Sequence, residues 1–311
     1  MEHFCQAVPD SQAMTKRDGT ARPDLTTSEY EAWREFIWQQ SGLYFPENRR
    51  EFLAHRIWER MRIRQIHSCG EYYHFVRFNP QGGKEWEELL ELLVICETGF
   101  FRHEPSFRAL AEILPHLLLC NQERGLNTLR IWSAGCSTGQ EAYSLAMLFL
   151  ETVRFLELWQ VEIMATDISR RALEKARRGL YKPFEIKFMP EHYRGKYLMA
   201  EGGAGATASI ASLRSTTRYR VVKRVREMVH FGYLNLNDPT SFWVTAQDVI
   251  FCQNVLIYFK PESRVETVRH LCQRLNPGGY LFLAPAEVTG LKLPGVQLVY
   301  FEDSLVYKRV K

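Results

Sequence analysis

The stretch "IWSAGCSTGQEAYSLA", residues 131–146, decides how the rest of the chain is read. Its first residues form an apolar run that enters a turn at Gly135, and Gly139 follows four positions later with small residues between. From Gln140 onward, Ala142, Leu145, Ala146 and Leu148-Phe149 recur at helical spacing. Strand, glycine turn and helix together form the layout that brings backbone close to a nucleotide-like ligand.

Working outward, the chain alternates. Strand patterns at 129–133, 161–166, 247–252 and 279–284 are interleaved with helical ones at 140–156, 169–178 and 261–275, and two short apolar segments, 296–301 and 304–309, form a closing hairpin. Such alternation predicts a mostly parallel, Rossmann-like α/β sheet with helices on both faces. Upstream the pattern is helical only, near 28–41, 47–66, 70–78 and 84–96. A fifth helix runs from Glu104 to about Asn121, with Pro115 expected to kink it. The expected organisation is a tail over 1–24, a helical domain over 25–97 and a ligand-binding domain over 98–311. Within the last, a Gly/Ser-rich loop ("EGGAGATASIASLRSTT", 201–217) and the strand-like "RYRVVKRVREMVHF" suggest a small antiparallel β-subdomain inserted at about 194–231.

Composition narrows the class. The 311 residues are 46% hydrophobic and 24% charged, ordinary values for a globular protein. No apolar run reaches the eighteen or so residues that span a bilayer, and the start lacks a leader-like apolar stretch, so a cytoplasmic protein with no membrane insertion is expected. Seven cysteines without a C-x-x-C pair fit reduced thiols better than a disulfide framework or a zinc site. A net charge of +4 is too mild to argue for nucleic acid.

The turn itself sorts the nucleotides. No lysine follows Gly139, which disfavours an ATP-binding loop, and a third glycine is lacking for a dinucleotide pyrophosphate. A ligand with an adenosine ribose and no phosphate fits better, namely S-adenosylmethionine. "VEIMATDIS" supplies an acid, Asp167, at the end of the second strand, where a carboxylate can hold ribose hydroxyls; the same residue could instead cap the helix that begins near Ser169. Glu141 can complement the helix dipole or face a sulfonium or ammonium group. "ICETGFFRHEPSF" (95–107) places Arg102 at the domain junction, where an interdomain salt bridge is the bland alternative. "DVIFCQNVLIYF" (248–259) ends a core strand on Asn254, with Tyr258 just beyond.

These blocks, with "ATDISRRALEKARRGLY" and "LNPGGYLFL", resemble the chemotaxis-receptor methyltransferases, which esterify glutamate side chains of transmembrane chemoreceptors; the resemblance runs from about residue 28 to the end. It implies a helical N-terminal domain that recognises substrate, a Rossmann-like domain that binds S-adenosylmethionine, and a late β-insertion where a receptor C-terminal peptide would pair. Carried over residue by residue, it puts Thr98, Arg102, Glu141, Asp167, Asn235-Leu236 and Asn254-Val255 at the cofactor, beside Gly135 of the turn, and Tyr258 near the transferred methyl. Four departures stand out. Cys96 replaces the usual asparagine, Gln140-Glu141-Ala142-Tyr143 replaces Glu-Glu-Pro-Tyr, Gln253 replaces an arginine, and Ala284-Pro285-Ala286-Glu287 replaces Gly-His-Ser-Glu. A divergent branch serving a pilus-motility system is one implied setting.

The chemistry so implied needs little acid–base help. A glutamate carboxylate, with an ordinary pKa of about 4.3, is already the anionic nucleophile near neutrality. The protein's task is to hold it about 3–3.5 Å from the methyl carbon, a placement expected of Arg102 and Tyr258. Methylation of nucleic acid is disfavoured, since Gln253-Asn254-Val255-Leu256 stands where base methyltransferases carry (N/D)-P-P-(Y/F). A small-molecule methyltransferase or a non-catalytic, cofactor-binding adaptor remains an alternative reading. On "ENRREFLAHRIWERMRIRQ", Arg49, Arg56, Arg60 and Arg64 fall within an arc of about 80° at 100° per residue. With only Glu51 and Glu59 nearby to offset it, this stripe is expected to dock a glutamate-rich receptor helix.

Overall fold

A computed structural model describes residues 24–201, 217–288 and 293–310. The expected tail, save Asp24, and nearly all of the Gly/Ser-rich loop lie outside the described residues.

The first domain is helical: α1 (Thr27–Ser41), α2 (Arg50–Arg64), α3 (Cys69–Phe78) and α4 (Gly82–Leu93). Helix α1 opens on a capping box, in which the Thr26 hydroxyl and the Glu29 carboxylate satisfy each other's backbone N–H, and it closes on Gly42 in the left-handed region. Tyr30, Trp33, Ile37, Leu53, Ile57, Tyr72 and Leu89 interlock in a separate small core. Residues 47–49 form a 3₁₀ turn rather than the first turn of α2, and α4 ends at Leu93, three residues before the expected boundary. Cys96 is thereby released into an extended segment.

Helix α5 (Glu104–Glu123) continues unbroken through Pro115 and leads into β1 (Thr128–Ala134), α6 (Gln140–Thr152), β2 (Gln160–Asp167) and α7 (Arg170–Arg178). Then come β3 (Leu180–Tyr181), α8 (Glu191–Tyr197), β4 (Leu198–Glu201), β5 (Arg218–Val221), α9 (Lys223–Arg226) and β6 (Val229–Tyr233). The chain closes with β7 (Gln247–Cys252), α10 (Pro261–Gln273), β8 (Leu275–Leu283), α11 (Pro285–Val288), β9 (Val296–Phe301) and β10 (Ser304–Arg309).

The main sheet has the order β6-β2-β1-β7-β8-β10-β9, parallel from β6 through β8 and antiparallel at the closing hairpin. Alternation explains why helices cover both faces. Leu129 and Ile131 of β1, Val249 and Phe251 of β7, and Phe282 of β8 enter one core, while Trp132, Ala134, Ile250, Cys252 and Leu281 enter the other. The small sheet, β3-β5-β4, starts earlier than expected and excludes β6. Val229 pairs with Ile163 at the main sheet's edge, because α9 breaks the alternation that made 218–231 read as one antiparallel unit.

Candidate functional site

The turn after β1 is held against β2. The Gly135 and Cys136 N–H groups both donate to the Thr166 carbonyl, at 2.8 and 2.9 Å. Gly135 has φ +82°, and a Cβ there would lie 2.3 Å from a methyl of Val255, so only glycine lets the loop after β7 close over the turn. Asp167, at the tip of β2, accepts the Ser137 N–H at 2.7 Å on one oxygen and the Ser169 N–H at 2.8 Å on the other. Each carboxylate oxygen keeps acceptor capacity for a further donor. The cap of α7 is Ser169, whose hydroxyl accepts the Ala172 N–H, so Asp167 is not needed there.

One cavity gathers these residues. Gly135, Ser137, Glu141, Asp167, Leu234, Asn235, Leu236, Asn254, Val255 and Tyr258 line it, together with Cys96, Thr98 and Arg102 from the segment between the domains. The structure therefore brings every residue expected at the cofactor to one place. Burial raises the Glu141 carboxyl to about 7, against a 2.7 Å hydrogen bond from the Ser133 hydroxyl and the Arg102 charge, with Glu287 adding to the rise. Burial also raises Asp167, opposed by its two backbone donors. Three carboxylates, Glu97, Glu141 and Asp167, line the cavity against one cation among the described residues, the half-exposed Arg102, and favour a cationic ligand. The buried Ser137 Oγ, without a hydrogen-bond partner among the described residues, is a further polar atom available to a ligand. A molecule with a sulfonium, an ammonium and a ribose fits this set.

Sequence reasoning missed several supports. Glu287, noted only within a departure, accepts the N–H groups of Ala284, Asn254, Leu256 and Ile257 at 3.0, 3.1, 2.7 and 3.2 Å. It thereby sets the loop in which Asn254 is held at φ +60°. Gln253 also lines the cavity, as a neutral amide that donates to the Ser106 hydroxyl at 2.8 Å. The wall opposite comes from the first domain: Ser41 and Leu43 line the cavity. The Tyr44 N–H donates to the Tyr258 carbonyl at 2.8 Å, and the Asn235 amide donates to the Gln40 carbonyl at 2.8 Å. Left-handed Gly42, where a Cβ would strike Phe259, was the available sequence signal for that close approach.

Arg102 does not bridge the domains by a buried ion pair. It donates to the Glu97 carbonyl at 2.8 Å and weakly to that residue's carboxylate. Tyr258 stays a neutral donor, because burial and Glu97 raise its pKa while Arg102 and Arg49 lower it. Arg49, just before α2, thus acts electrostatically at the phenol. The expectation for Arg60 and Arg64 of the arginine stripe is corrected. Arg60 is 8% exposed and grips Glu85 through two bonds of 2.8 and 2.9 Å, Arg64 also binds Glu85, and Tyr72 adds a hydroxyl donor at 2.8 Å. Burial alone would raise the Glu85 carboxyl, but these three hydrogen bonds outweigh it and hold it below its ordinary value. Arg56 pairs with Glu59 at 3.2 Å. The partner of Arg60 lies 25 residues along the chain, so local counting could not see it.

A parallel sheet with a glycine turn after its first strand, an acid ending the second and a cavity suited to a sulfonium defines an S-adenosylmethionine-dependent methyltransferase. Residues 96–295 match the family model described as "CheR methyltransferase, SAM binding domain", and residues 28–94 match "CheR methyltransferase, all-alpha domain". The chain belongs to the CheR methyltransferase family, and its cofactor is S-adenosylmethionine. It is 32% identical over 265 residues to "Chemotaxis protein methyltransferase 2" of Vibrio cholerae, covering 85% of this chain and 86% of that one. It is 31% identical over 288 residues to "Chemotaxis protein methyltransferase 1" of Pseudomonas aeruginosa, covering 90% and 97%. The "Probable biofilm formation methyltransferase WspC" of Pseudomonas aeruginosa is 34% identical over 261 residues, covering 81% of this chain and 55% of that longer one. Among the described residues, no helix is long and apolar enough to cross a membrane.

Proposed function

We propose that the chain transfers a methyl group from S-adenosylmethionine to glutamate side chains on the cytoplasmic helical region of a chemoreceptor, forming methyl esters. The carrying observation is that Arg102 and a neutral Tyr258 both line the cavity, with the Arg102 and Arg49 charges lowering the phenol's pKa against burial and Glu97. This is a set of donors and positive charge that attracts and orients an anion. Bound S-adenosylmethionine supplies the electrophilic methyl on its sulfonium. Asp167 would hold the ribose hydroxyls, and Glu141 would face the cationic end. Cys96, Thr98, Asn235, Leu236, Asn254 and Val255 would complete the walls. Arg102 would donate one hydrogen bond to the incoming carboxylate and Tyr258 a second, leaving a free lone pair directed at the methyl. No residue is required to accept a proton, because the nucleophile arrives ionised.

The edge strands of the small sheet among the described residues, β3 and β4, are where a receptor C-terminal peptide would add as a strand. The names of the relatives support a setting in chemotaxis or biofilm formation. Incubation with methyl-labelled cofactor and receptor cytoplasmic fragments tests the proposal. Base-labile label on the receptor supports it, whereas label on RNA or a small molecule, or none at all, overturns it.

A further inference from the structure

A second groove abuts the cofactor cavity on the far side of the 96–102 segment. It shares Cys96, Glu97, Thr98, Gly99 and Arg102 with that cavity and is otherwise walled chiefly by Gln140, Lys175, Phe184 and Phe188. Phe184 is 58% exposed and Phe188 is 85% exposed, the latter an extreme value for a large apolar side chain. Their exposure is built into the fold. Ile186 and Met189, on the same short segment, are buried at 1% and 4% in the main core and anchor it. The Lys182 N–H donates to Glu185 at 2.9 Å, and Lys175 pairs with the same carboxylate. Just before the segment, the Tyr181 hydroxyl donates to the Thr138 carbonyl at 2.7 Å, tying this wall to the glycine turn. Two phenylalanines held outward beside a reaction centre form an apolar surface that costs solubility unless something covers it.

The charge around them says what covers it. Residues 170–196 carry nine Lys and Arg against three Glu. The Lys182 and Lys187 ammonium groups sit over the Phe184 and Phe188 rings, 5.8 and 5.2 Å from the centroids. Among the described residues, neither lysine has a carboxylate partner. Apolar rings topped by uncompensated cations suit an amphipathic helix with an acidic face, and the groove ends at Arg102, where an accepting carboxylate must arrive.

We infer that the Phe184–Phe188 groove docks the acidic helical segment that bears the accepting glutamate, with Lys182 and Lys187 on its carboxylates. This rests on the glutamate-methylating function proposed above. The test uses the full chain with purified receptor cytoplasmic fragment, comparing wild type with Phe184→Ser/Phe188→Ser and with Lys182→Glu/Lys187→Glu. Because all four side chains lie on the surface of an anchored segment, melting temperature and S-adenosylmethionine affinity should hold. Apparent KM for the fragment should rise about tenfold or more, in line with loss of an interface anchor, with kcat at saturation little changed. Wild-type methylation with unchanged KM in both variants overturns the docking surface alone. Absence of ester formation by wild type overturns the functional reading and the docking with it. A dimer that becomes monomeric in the serine variant, with KM unmoved, assigns the groove to a second copy of the chain and also overturns the inference.

Discussion

Glu91, near the end of α4, sits on the N-terminus of α7, where its carboxylate accepts the Ser169 hydroxyl at 2.6 Å and the N–H groups of Arg170 and Arg171 at 2.7 and 3.2 Å. The Ser169 N–H in turn donates to Asp167. A carboxylate of the helical domain therefore reaches Asp167, the acid proposed to hold the ribose, through one residue, with the helix dipole favouring its charge. Flanking ion pairs, Arg171 with Glu88 at 2.6 Å and Arg170 with Glu87 at 3.5 Å, set the same interface. Glu91→Ala should lower the melting temperature and weaken S-adenosylmethionine binding several-fold, with Glu91→Gln intermediate. Scanning and titration calorimetry read both quantities, and a folded alanine variant with wild-type affinity would disconnect the helical domain from the cofactor.

Ser169 caps α7, which leaves Asp167 for the proposed ribose binding. Asp167→Ala removes charge-assisted hydrogen bonds of roughly 1.5–3 kcal/mol each and should cost tenfold or more in cofactor affinity. Ser169→Ala removes the cap and should cost about 1 kcal/mol of stability. Its effect on affinity should be smaller than that of Asp167→Ala. Denaturant melts alongside calorimetric titrations show the two signatures, and an inverted pattern would return Asp167 to a purely structural role.

How legible the site was depended on how local its chemistry is. Gly135, Asp167 and Asn254-Val255 stand at strand ends, and strand ends are readable from apolar runs. The parallel sheet followed from the same alternation, because β1, β7 and β8 are buried on both faces. What the sequence hid are contacts made across the chain. Glu85 neutralises Arg60, Glu287 reaches back to the Asn254 loop, and Glu91 meets a helix whose cap already looked complete. β6 was misplaced for a related reason: its alternation fits either sheet, and only its register with β2 decides.

The arginine stripe divides into two residues bound to Glu85, Arg60 and Arg64, and the half-buried Arg49 and Arg56. Arg60→Glu would set a second carboxylate against buried Glu85 and remove a pair whose loss costs about 3–5 kcal/mol, so the helical domain should unfold well below the wild-type melting temperature. Arg49→Glu should leave the melting temperature within a few degrees and raise KM for receptor fragment, more so at low salt, where screening is weakest. A stable, fully active Arg60→Glu protein would contradict the buried-pair geometry.

Arg102→Ala and Tyr258→Phe should lower kcat more than they weaken cofactor binding, because the proposed role of each donor is at the methyl rather than on the ribose. A loss of one to two orders of magnitude in turnover, with S-adenosylmethionine affinity within about threefold, is the expected result for a lost orienting hydrogen bond. Should Arg102→Ala instead only destabilise the 96–102 segment, turnover per folded molecule would stay near wild type.

Glu141 gives the site a pH dependence. Burial raises its folded-state pKa to about 7, above the ordinary value of 4.5. The folded protein without cofactor therefore binds a proton that the unfolded chain releases earlier. The contribution to stability is greatest below about 4.5 and is lost as pH rises toward 7. With the cofactor's cationic end beside Glu141 as proposed, binding would reverse the preference, since a sulfonium and an ammonium favour the ionised carboxylate. Binding should then release a proton near pH 6–7, and affinity should climb through that range by up to about tenfold per unit before levelling off. Titrations in two buffers of different ionisation heat would show the proton release as a difference in apparent enthalpy. Glu141→Gln should abolish that difference and flatten the profile, while binding more weakly than wild type at pH 8. A variant that keeps the slope would place the titrating group elsewhere, with Asp167, also raised by burial, the next to substitute.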